Sequence, residues 1–363
     1  MGEPWEAAAL APTRSIAAVR VLRISVTDRC NYRCVYCMPV EGMPWIPREQ
    51  LLSIDEIVEV AAAAARVHGI GHFKITGGEP TVRPDLIELV SRLKKIPGVH
   101  DLSMTTNGQQ LAKMAGGLRA AGLDRVTISL DSLQPEKFRR ITRTGDLAAV
   151  LAGIEQAQLA GFKSVKINCV TMRGVNDDEL VDFAELSRDW RVTVRFIEYM
   201  PLGESALLES ETHAAETHAG PAAGCDGQDR GRASLISEAE VRDILRPRVG
   251  ELLAVSRESE SGVGPATVWK LADPIARGRI GFISAMSAPF CATCNRLRLT
   301  ADGKLQSCLF DGGSVDVMPI VRDPLLSGLS RQRSLADAMA RCVQLKPTLH
   351  SGHGILQMSR IGG

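Results

Sequence analysis

Six short runs rich in β-branched residues alternate with longer helical stretches, and this succession limits the possible folds more than any other feature of the sequence. Strands are predicted at 21–27, 72–76, 101–105, 125–130, 164–170 and 192–198. Helices between them are predicted at 53–68, 84–95, 109–121, 147–161 and 176–189. A capping box of Ser53 and Glu56 is expected to start the first helix. Such β/α units imply parallel strands with right-handed crossovers, in a barrel or a doubly wound sheet.

Polar and small residues collect where these predicted strands end. They are Cys30, Cys34 and Cys37, Gly77-Gly78-Glu79-Pro80, Thr105-Thr106-Asn107-Gly108, Ser129-Leu130-Asp131, Asn168 and Glu198-Tyr199-Met200. The C-terminal ends of parallel strands meet on one face, and in a TIM-type barrel the loops of that face build the site. We therefore predict an α/β fold with a partial (β/α)6 barrel of the TIM type, because six units are fewer than a full barrel needs.

The organisation of the chain is predicted to change after the sixth strand. Residues 1–20 form an N-terminal extension, residues 21–202 the barrel, and residues 203–233, rich in Ala, Gly, Ser, Thr and Glu, a flexible insertion. Residues 234–363 form a C-terminal module that ends in Gly362-Gly363. Its predicted elements are a helix at 237–245, strands at 250–256, 266–271 and 279–284, a hairpin at 295–309 and a helix at 334–345.

Three cysteines lie close together near the start of the barrel, in the run RCNYRCVYCMP. Iron–sulfur clusters and structural zinc normally take four protein ligands, so Cys30, Cys34 and Cys37 indicate a metal centre with one open position. Two other interpretations are a zinc site completed by a distant ligand and a set of buried small side chains. The charged and polar neighbours of the three cysteines favour the metal centre over core packing.

A second set of three cysteines occurs in the C-terminal module. Cys291 and Cys294 form a CxxC motif, and the predicted hairpin can bring Cys308 back toward them. A zinc ribbon with a histidine or Cys342 as its fourth ligand is the alternative. Two separate triads favour two four-iron clusters, because each is then complete with one open iron.

Four predicted barrel strands each carry one basic residue within an otherwise apolar run: Arg23, Lys74, Lys166 and Arg195. Charges at such positions are costly unless they are paired, so one anionic ligand inside the barrel would explain all four. Arg296 and Arg298 alternate on the hairpin strand and share a face, which suits a phosphate-bearing ligand. Separate salt bridges and a solvated strand face are the alternatives.

The overall charge excludes some classes of partner. Lys and Arg (43) nearly cancel Asp and Glu (42), so no global field would attract nucleic acid or an anionic membrane. No apolar run approaches the roughly 20 residues of a membrane span, and the first twenty residues lack a signal-peptide pattern. Six of the nine cysteines fall in the two triads, which indicates metal or redox chemistry in a reducing compartment. We expect a cytoplasmic protein.

The first triad, with Tyr36 before its last cysteine, resembles the signature of the radical S-adenosylmethionine (SAM) superfamily. Gly77-Gly78-Glu79-Pro80 resembles the methionine-binding turn of that superfamily. From about residue 20 to the end, the chain is similar to one branch, the GTP 3′,8-cyclase family of molybdenum cofactor biosynthesis. That likeness rests on RISVTDRCNYRCVYCMP, KITGGEPTVRPDL, MTTNG, ISLDSL, VKINCV, RFIEYMPLG, PFCATCNRLRLTADGKLQSCL and the final GG.

This resemblance implies a role for each matching residue. The first triad would hold a [4Fe–4S] cluster whose open iron binds SAM, and the second a [4Fe–4S] cluster that binds the guanine of GTP. The implied further contacts to SAM are Tyr36, Gly78, Glu79, Ser129 and Met200. The implied contacts to GTP are Arg23, Lys74, Thr105, Lys166, Arg195, Arg296, Leu297 and Arg298. The Gly362-Gly363 tail is implied to reach into the site.

The implied reaction converts GTP to (8S)-3′,8-cyclo-7,8-dihydroguanosine 5′-triphosphate, the first step of molybdenum cofactor biosynthesis. No catalytic group beyond cluster-bound SAM is implied. The implied partners are an external one-electron donor and a downstream cyclic pyranopterin monophosphate synthase, without nucleic acid or membrane, and a homodimer is left open.

The chain departs from the family pattern at three places, one of which is the predicted insertion at 203–233, longer than the family pattern leads us to expect. His72 and Lys74 stand where the family more often has Lys and Arg, which puts phosphate binding in question, and Gln306-Ser307 replaces Arg-Pro. Two other functions remain open. One is a different radical SAM enzyme with a second cluster, acting on a peptide or another substrate, and the other is a non-enzymatic zinc protein.

Overall fold

The computed structural model of the protein describes residues 13–202, 234–256, 263–352, 354 and 358–361. Its strands are β1 (Val21–Ser25), β2 (His72–Thr76), β3 (Asp101–Thr106), β4 (Arg125–Ser129), β5 (Ser164–Thr171), β6 (Val192–Glu198), β7 (Leu252–Ala254), β8 (Thr267–Leu271), β9 (Arg279–Ile283), β10 (Arg296–Leu299), β11 (Lys304–Gln306) and β12 (Ser314–Asp316). Its helices are α1 (Ile54–His68), α2 (Leu86–Lys94), α3 (Leu111–Ala120), α4 (Pro135–Thr142), α5 (Leu147–Leu159), α6 (Leu180–Asp189), α7 (Glu238–Val249), α8 (Met318–Val321), α9 (Gly328–Gln344) and α10 (Met358–Ile361). The predicted insertion at 203–233 and the Gly362-Gly363 tail lie outside the described residues.

The strands of the described residues form one sheet, in the order β12-β11-β10-β1-β2-β3-β4-β5-β6-β9-β8-β7. Strands β1 to β6 pair in chain order, each parallel to the next. The predicted partial barrel of six β/α units is therefore confirmed.

The residues after 234 widen this sheet at both of its edges. Strand β10 pairs in parallel with β1, and β9 pairs in parallel with β6. The predicted hairpin is present as the antiparallel pair β10 and β11, and β12, β8 and β7 continue the edges antiparallel. The sequence did not predict this shared sheet, because strands so far apart in the chain leave no local pattern of pairing. The domain boundaries at 202 and 234 stay a prediction.

Strand β5 shows how the barrel places polar side chains on its inner face. Exposure alternates along the whole strand, with Val165, Ile167 and Cys169 buried in the core. Lys166 and Asn168 alternate with them and line the interior cavity. Successive side chains of a strand point to opposite faces, so this alternation follows from the sequence SVKINCVT itself.

The helices cover the outer face of the sheet. The predicted capping box at the start of α1 is present, with the Glu56 N–H donating to Ser53 Oγ and the Ser53 N–H donating to Glu56 Oε2. Helix α1 ends at Gly69, whose φ of +66° is the left-handed conformation that glycine adopts without strain. Helix α9 packs against α1. In the described ranges, no helix combines the length and the apolar character that crossing a bilayer needs.

Four of the described helices differ from the prediction, two of which are the four-residue helices α8 and α10 that the sequence did not predict. Helix α4 was not predicted, because its sequence PEKFRRIT has only Phe138 and Ile141 as apolar residues, too few to show a helical period. Helix α9 begins at Gly328 and not at 334, because its first turns are polar and carry no apolar period. Arg331 holds those turns in place by an ion pair with Glu59 of α1 at 3.0 Å.

Candidate active site

Both cysteine triads line one cavity at the C-terminal ends of the barrel strands. The other predicted site residues that line it are Arg23, Tyr36, Lys74, Gly78, Glu79, Thr105, Ser129, Lys166, Arg195, Met200, Arg296 and Arg298. Leu297 differs, because it alternates with the two arginines along β10 and is buried in the hydrophobic core. The predicted part of Leu297 in nucleotide binding therefore does not extend to its side chain.

The first triad sits on the loop that follows β1. The N–H groups of Cys37 and Met38 both donate to the carbonyl of Cys34, at 2.9 and 3.1 Å, and so form a tight turn. The Tyr32 N–H donates to Cys30 Sγ at 3.3 Å. Burial raises the pKa of Cys30 to about 11, and burial with the neighbouring Cys37 raises the pKa of Cys34 well above its usual range. Neighbouring buried thiols ionise together only beside a cationic group, so this donor set suits a metal cluster.

The Gly77-Gly78-Glu79-Pro80 turn is hydrogen-bonded to the backbone at the start of the cysteine loop. The Gly78 N–H donates to Thr27 O at 2.7 Å, and the Glu79 N–H donates to Arg29 O at 2.8 Å. A Cβ atom at Gly78 would lie 2.3 Å from the carbonyl oxygen of Arg29, so no larger residue fits there. The Glu79 carboxylate is buried and accepts hydrogen bonds from Thr81, Thr106 and the Asn107 N–H. Glu79 thereby ties the ends of β2 and β3 together.

Asp131 is a cavity residue whose role the sequence did not predict. The Tyr36 hydroxyl donates to Asp131 Oδ2 at 2.7 Å, and the Val170 N–H donates to Asp131 Oδ1 at 2.8 Å. Burial raises the pKa of Asp131 to about 6, although both hydrogen bonds oppose the shift. The carboxylate therefore joins the cysteine loop to the ends of β4 and β5.

The second triad is assembled by the hairpin, as the sequence predicted. Cys291 opens a single 3₁₀ turn, in which the Cys294 N–H donates to Cys291 O at 3.2 Å. The pairing of Arg298 with Gln306 then returns the chain to Cys308. Cys342, the alternative fourth zinc ligand, is fully buried, donates to Gly313 O at 3.9 Å and does not line the cavity.

Two cations flank Cys294. Arg296 Nη2 donates to Cys294 Sγ at 3.6 Å, and Lys346 Nζ donates to Cys294 O at 3.0 Å. Burial acts in the opposite direction, but the charges of Arg296 and Lys346 lower the pKa of Cys294 to about 7. The sequence did not identify Lys346 as a site residue, because it is 52 residues from Cys294 in the chain.

Neither triad has the geometry of a site for one metal ion. Across the part of the chain that the structure describes, no group of three or more Cys, His, Asp or Glu side chains converges to hold a single ion. Zinc draws its sulfur ligands to about 2.3 Å, whereas a four-iron cluster spreads its cysteine ligands over separate irons. The lack of a converging single-ion site among the described residues therefore favours clusters over single zinc ions.

The inner face of the barrel concentrates positive charge. In the sheet register Arg298 lies beside Arg23, and Arg23 lies beside Lys74, so three cations occupy adjacent positions on three strands. Like charges in register destabilise a sheet unless an anion balances them. Lys166 and Arg195 extend the same lining.

The pKa values of these groups show the cost of the arrangement. Burial lowers the pKa of Arg23 and of Lys74, and the neighbouring guanidinium groups lower both further. Burial and Arg195 lower the pKa of Lys166 to about 7. Burial lowers the pKa of Arg195 and of Arg298 to about 10, with Arg125 and Arg296 as the next causes. A polyanionic ligand would relieve this repulsion.

Arg125 and Asp101 are further cavity residues that the sequence did not identify. Arg125 donates to Asp101 Oδ1 at 2.7 Å, and His72 Nδ1 lies 3.6 Å from Asp101 Oδ2. Arg125 and Asp101 are the first residues of β4 and β3. The sequence pattern indicated only the charges in the middle of strands. The histidine that departs from the family pattern therefore faces a carboxylate that Arg125 already binds.

Several buried polar atoms of the described cavity wall have no hydrogen-bond partner within the protein. Among the described residues, Thr105 Oγ1, Asn168 Oδ1 and Arg195 Nε have no hydrogen-bond partner. Buried polar groups are nearly always hydrogen-bonded, so unsatisfied ones in a cavity indicate a polar ligand. Together with the cations, they fit a ligand that carries both phosphates and hydroxyl or amide groups.

The chain matches two known families along its length. Residues 24–187 match the Radical SAM superfamily, and residues 224–352 match the family described as Molybdenum Cofactor Synthesis C. The first match covers the barrel from β1 to α6, including the first triad, and the second covers the hairpin and the second triad.

Similar proteins cover almost the whole chain. The GTP 3′,8-cyclase of Pseudomonas entomophila (strain L48) is 42% identical over 92% of this chain and 90% of its own length. The GTP 3′,8-cyclase of Heliobacterium modesticaldum (strain ATCC 51547 / Ice1) is 42% identical over 95% of this chain and 98% of its own. The protein of the same name from Thermodesulfovibrio yellowstonii (strain ATCC 51303 / DSM 11347 / YP87) is 40% identical over 94% and 97%.

A solved structure shares the fold. SuiB of Streptococcus suis, bound to its precursor peptide SuiA, superposes with a TM-score of 0.53 and 13% identity, covering 92% of this chain and 66% of SuiB. At this identity the likeness concerns the arrangement of strands and helices alone.

Proposed function

The chain belongs to the GTP 3′,8-cyclase family of the radical SAM superfamily, and we propose that its two cysteine triads hold the two clusters of that enzyme beside one shared cavity. The protein is a lyase that converts GTP to (8S)-3′,8-cyclo-7,8-dihydroguanosine 5′-triphosphate in molybdenum cofactor biosynthesis. Its cofactors are two [4Fe–4S] clusters and SAM. The observation that carries the residue assignment is the convergence of both open triads on a cavity lined by buried cations.

Cys30, Cys34 and Cys37 hold the first cluster, and the residues around them bind SAM. The chemistry that this cluster and SAM supply when bound is homolytic, and it removes a hydrogen atom from C3′ of GTP. Tyr36, oriented by Asp131, forms one wall of the SAM subsite, and Met200 offers a polarisable thioether to the adenine face. Gly78 lets the backbone before Cys30 pack closely against the turn that lines the SAM subsite, while Ser129 and Glu79 provide polar contacts at the strand ends.

The cations of the barrel interior bind the triphosphate. Arg23, Lys74, Lys166, Arg195 and Arg298 surround it, and Thr105 donates from its unpaired hydroxyl. Their mutual repulsion in the empty cavity becomes attraction for an anion with several negative charges. These residues hold GTP so that its ribose faces the first triad and its guanine faces the second, which is catalysis by orientation.

Cys291, Cys294 and Cys308 hold the second cluster, next to the guanine base. Arg296 lies over the ring of Phe290 at 4.7 Å and donates to Cys294, so it is fixed between the cluster and the nucleotide. The Gly362-Gly363 tail, a further proposed contact of the site, follows α10 in the sequence, and Met358 of α10 lines the cavity.

The partners follow from the reaction. An external one-electron donor reduces the first cluster, and a cyclic pyranopterin monophosphate synthase takes up the product. Whether the protein is a homodimer is decided by measuring its mass in solution. All eight cysteines of the described ranges are free thiols, a usage typical of a reducing compartment, which supports a cytoplasmic location.

Anaerobic reconstitution followed by reaction with GTP tests the proposal. Reduced protein with SAM and GTP should release 5′-deoxyadenosine and a cyclised nucleotide. Cys30→Ala should release neither, whereas Cys291→Ala should lose the cyclised nucleotide and retain about four of about eight irons. Stoichiometric zinc in place of iron, or 5′-deoxyadenosine without loss of GTP, would contradict the proposal.

A further inference from the structure

We propose that Arg143 is a positioning residue that holds the first cysteine loop, residues 30–38, in the shape that binds its cluster. The proposal rests on the proposed function to the extent that this loop is the cluster site. Arg143 itself is half-buried and lies outside the cavity lining.

The side chain of Arg143 bridges two points of the loop. Its Nη1 donates to the carbonyl oxygens of Arg33 and Met38, both at 3.0 Å. Those two carbonyls lie on either side of Cys34 and Cys37, so one guanidinium fixes the span that carries two of the three cysteines. Hydrogen bonds from a charged donor are stronger than those between neutral groups.

The neighbours of Arg143 contact the same loop. The Arg33 N–H donates to Thr142 O at 3.1 Å, and the Val35 N–H donates to Ile141 O at 2.9 Å. Thr144 Oγ1 donates to Asn31 O at 2.8 Å. The end of α4 therefore offers backbone acceptors, a hydroxyl donor and a guanidinium to one stretch of nine residues.

Apolar packing brings the two segments together. Ile141 forms a buried cluster with Met172 and Tyr199, and Val35 and Tyr36 of the loop pack against it. A Cβ atom at Gly145 would lie 3.0 Å from Tyr32 Cζ, so the chain after Arg143 also runs close against the loop. The contact between α4 and the loop is thus an interface with both polar and apolar parts.

The backbone of Arg143 is unusual. Within the described part of the chain, Arg143 is the one residue other than glycine with a positive φ, at +63°. Residues other than glycine rarely adopt a positive φ, and such a backbone conformation persists where the surrounding structure fixes it. A residue that served only to end α4 would be better as glycine, so the arginine side chain must contribute something that glycine cannot. The two carbonyl contacts are that contribution.

The contacts of Arg143 should keep the loop ordered before a cluster is bound. Inside the loop, Arg33 donates to the carbonyls of Cys30 and Tyr32, both at 2.8 Å, which orders only its first part. The part from Cys34 to Met38 is a turn closed by the Cys37 and Met38 N–H groups, and Arg143 attaches the two sides of this turn to the end of α4. Without the guanidinium, the apo loop should open more often, and the three sulfurs should leave their binding arrangement.

Thiol alkylation and hydrogen exchange of the apoprotein test the proposal without activity. Arg143→Gly removes the guanidinium and relaxes the backbone, two effects of opposite sign on stability, so its melting temperature should stay close to that of the parent protein. We expect alkylation of Cys34 and Cys37, and exchange of the 30–38 peptide, to become about tenfold faster or more. Alkylation of Cys291, Cys294 and Cys308 should not change. Arg139→Ala, an exposed arginine of the same helix, is the matched control and should leave both rates as they are.

Arg143→Lys distinguishes the guanidinium from simple charge. Its ammonium keeps the charge but lacks the planar fork, so we expect rates between those of the parent and of Arg143→Gly. If Arg143→Gly fails to fold, this variant carries the test. Unchanged loop exchange and unchanged alkylation in the folded variants would overturn the proposal.

The same variants separate this inference from the proposed function. In reconstituted protein, Arg143→Gly should release about four irons to a chelator faster than the parent, while the second cluster stays bound. If the parent protein binds iron but forms no cyclised nucleotide, the function fails while the loop measurements still decide the role of Arg143.

Discussion

The hydroxyl group of Tyr36 donates to the buried carboxylate of Asp131 at 2.7 Å, and this hydrogen bond joins the first cysteine loop to the end of β4. Because Tyr36 is expected to contact SAM, its orientation should depend on that carboxylate. Asp131→Asn keeps the size of the side chain but replaces the charged acceptor. We expect a loss of about tenfold in SAM affinity, since hydrogen bonds to charged groups contribute about 1.5–3 kcal/mol. The dissociation constant of SAM, measured at equilibrium with the reconstituted protein, tests this expectation.

Tyr36→Phe is the partner variant for Asp131→Asn. The two substitutions remove the same hydrogen bond, so the double variant should lose little more affinity than either single one. Iron content should stay at the parent level in all three. Fully additive losses would show that Asp131 acts on SAM by another route.

Arg296 and Arg298 share a face of β10 but should respond differently to replacement by alanine. Arg298 donates to the Ile361 carbonyl at 3.3 Å and lies beside Arg23, with no hydrogen bond to a cysteine sulfur among the described contacts, whereas Arg296 donates to Cys294 Sγ. Arg298→Ala should weaken GTP binding by about tenfold or more and leave the absorption spectrum of both clusters unchanged. Arg296→Ala should weaken binding and also alter the signal of the second cluster in electron paramagnetic resonance. Equal spectra for the two variants would contradict this distinction.

Lys166 should couple nucleotide binding to proton uptake. Burial and Arg195 lower its pKa to about 7, and a bound triphosphate should raise it again. At pH 8 GTP binding should therefore take up a proton, and affinity should fall as the pH rises above about 7. Calorimetry in buffers of different ionisation enthalpy measures the uptake, and Lys166→Met should abolish most of it.

The same group should influence stability in the absence of nucleotide. Between pH 7 and pH 10 the unfolded chain holds a proton on Lys166 that the folded chain has lost, so this group makes stability rise with pH across that window. Lys166→Met should therefore raise the melting temperature at pH 7 while it weakens GTP binding. A variant that loses both stability and affinity would show that Lys166 supports the fold.

The extent to which the sequence predicted this site can be traced to the range of each interaction. The charge of Lys166 in an otherwise apolar strand was enough to predict that it meets an anionic ligand inside the barrel, and the run at 295–309 was enough to predict the hairpin that returns Cys308. Both predictions rest on a pattern within one short segment of the chain. Arg143 and Met38 are 105 residues apart, and Asp131 and Tyr36 are 95 apart, so neither contact leaves a local pattern in a single sequence. The residues that support the cluster loop were missed for this reason, whereas the cysteines themselves were found.

Two glycines of the chain should respond in opposite ways to alanine. At Gly78 a Cβ would lie 2.3 Å from Arg29 O and 2.5 Å from Asp28 O, both backbone atoms next to Cys30. Gly78→Ala should therefore displace the start of the cysteine loop, lower stability by about 1–3 kcal/mol and reduce iron binding by the first triad. Gly116, inside α3, has open space at its Cβ position. Gly116→Ala should raise stability by about 0.5–1 kcal/mol with full iron content, as measured by denaturant unfolding.

Lys346 should set the reduction potential of the second cluster. Its ammonium group is buried and donates to the carbonyl of Cys294, so its charge lies close to the cluster in surroundings that screen it weakly. A nearby positive charge stabilises the reduced, more negative state of an iron–sulfur cluster. Lys346→Met should therefore lower the potential of the second cluster by on the order of tens of millivolts and leave the first cluster unchanged. Lys113→Met, at an exposed position of α3, should change neither potential in a redox titration followed by electron paramagnetic resonance. Equal shifts of both clusters would mean that Lys346 acts through the fold, and an unchanged second cluster would mean that its charge is screened.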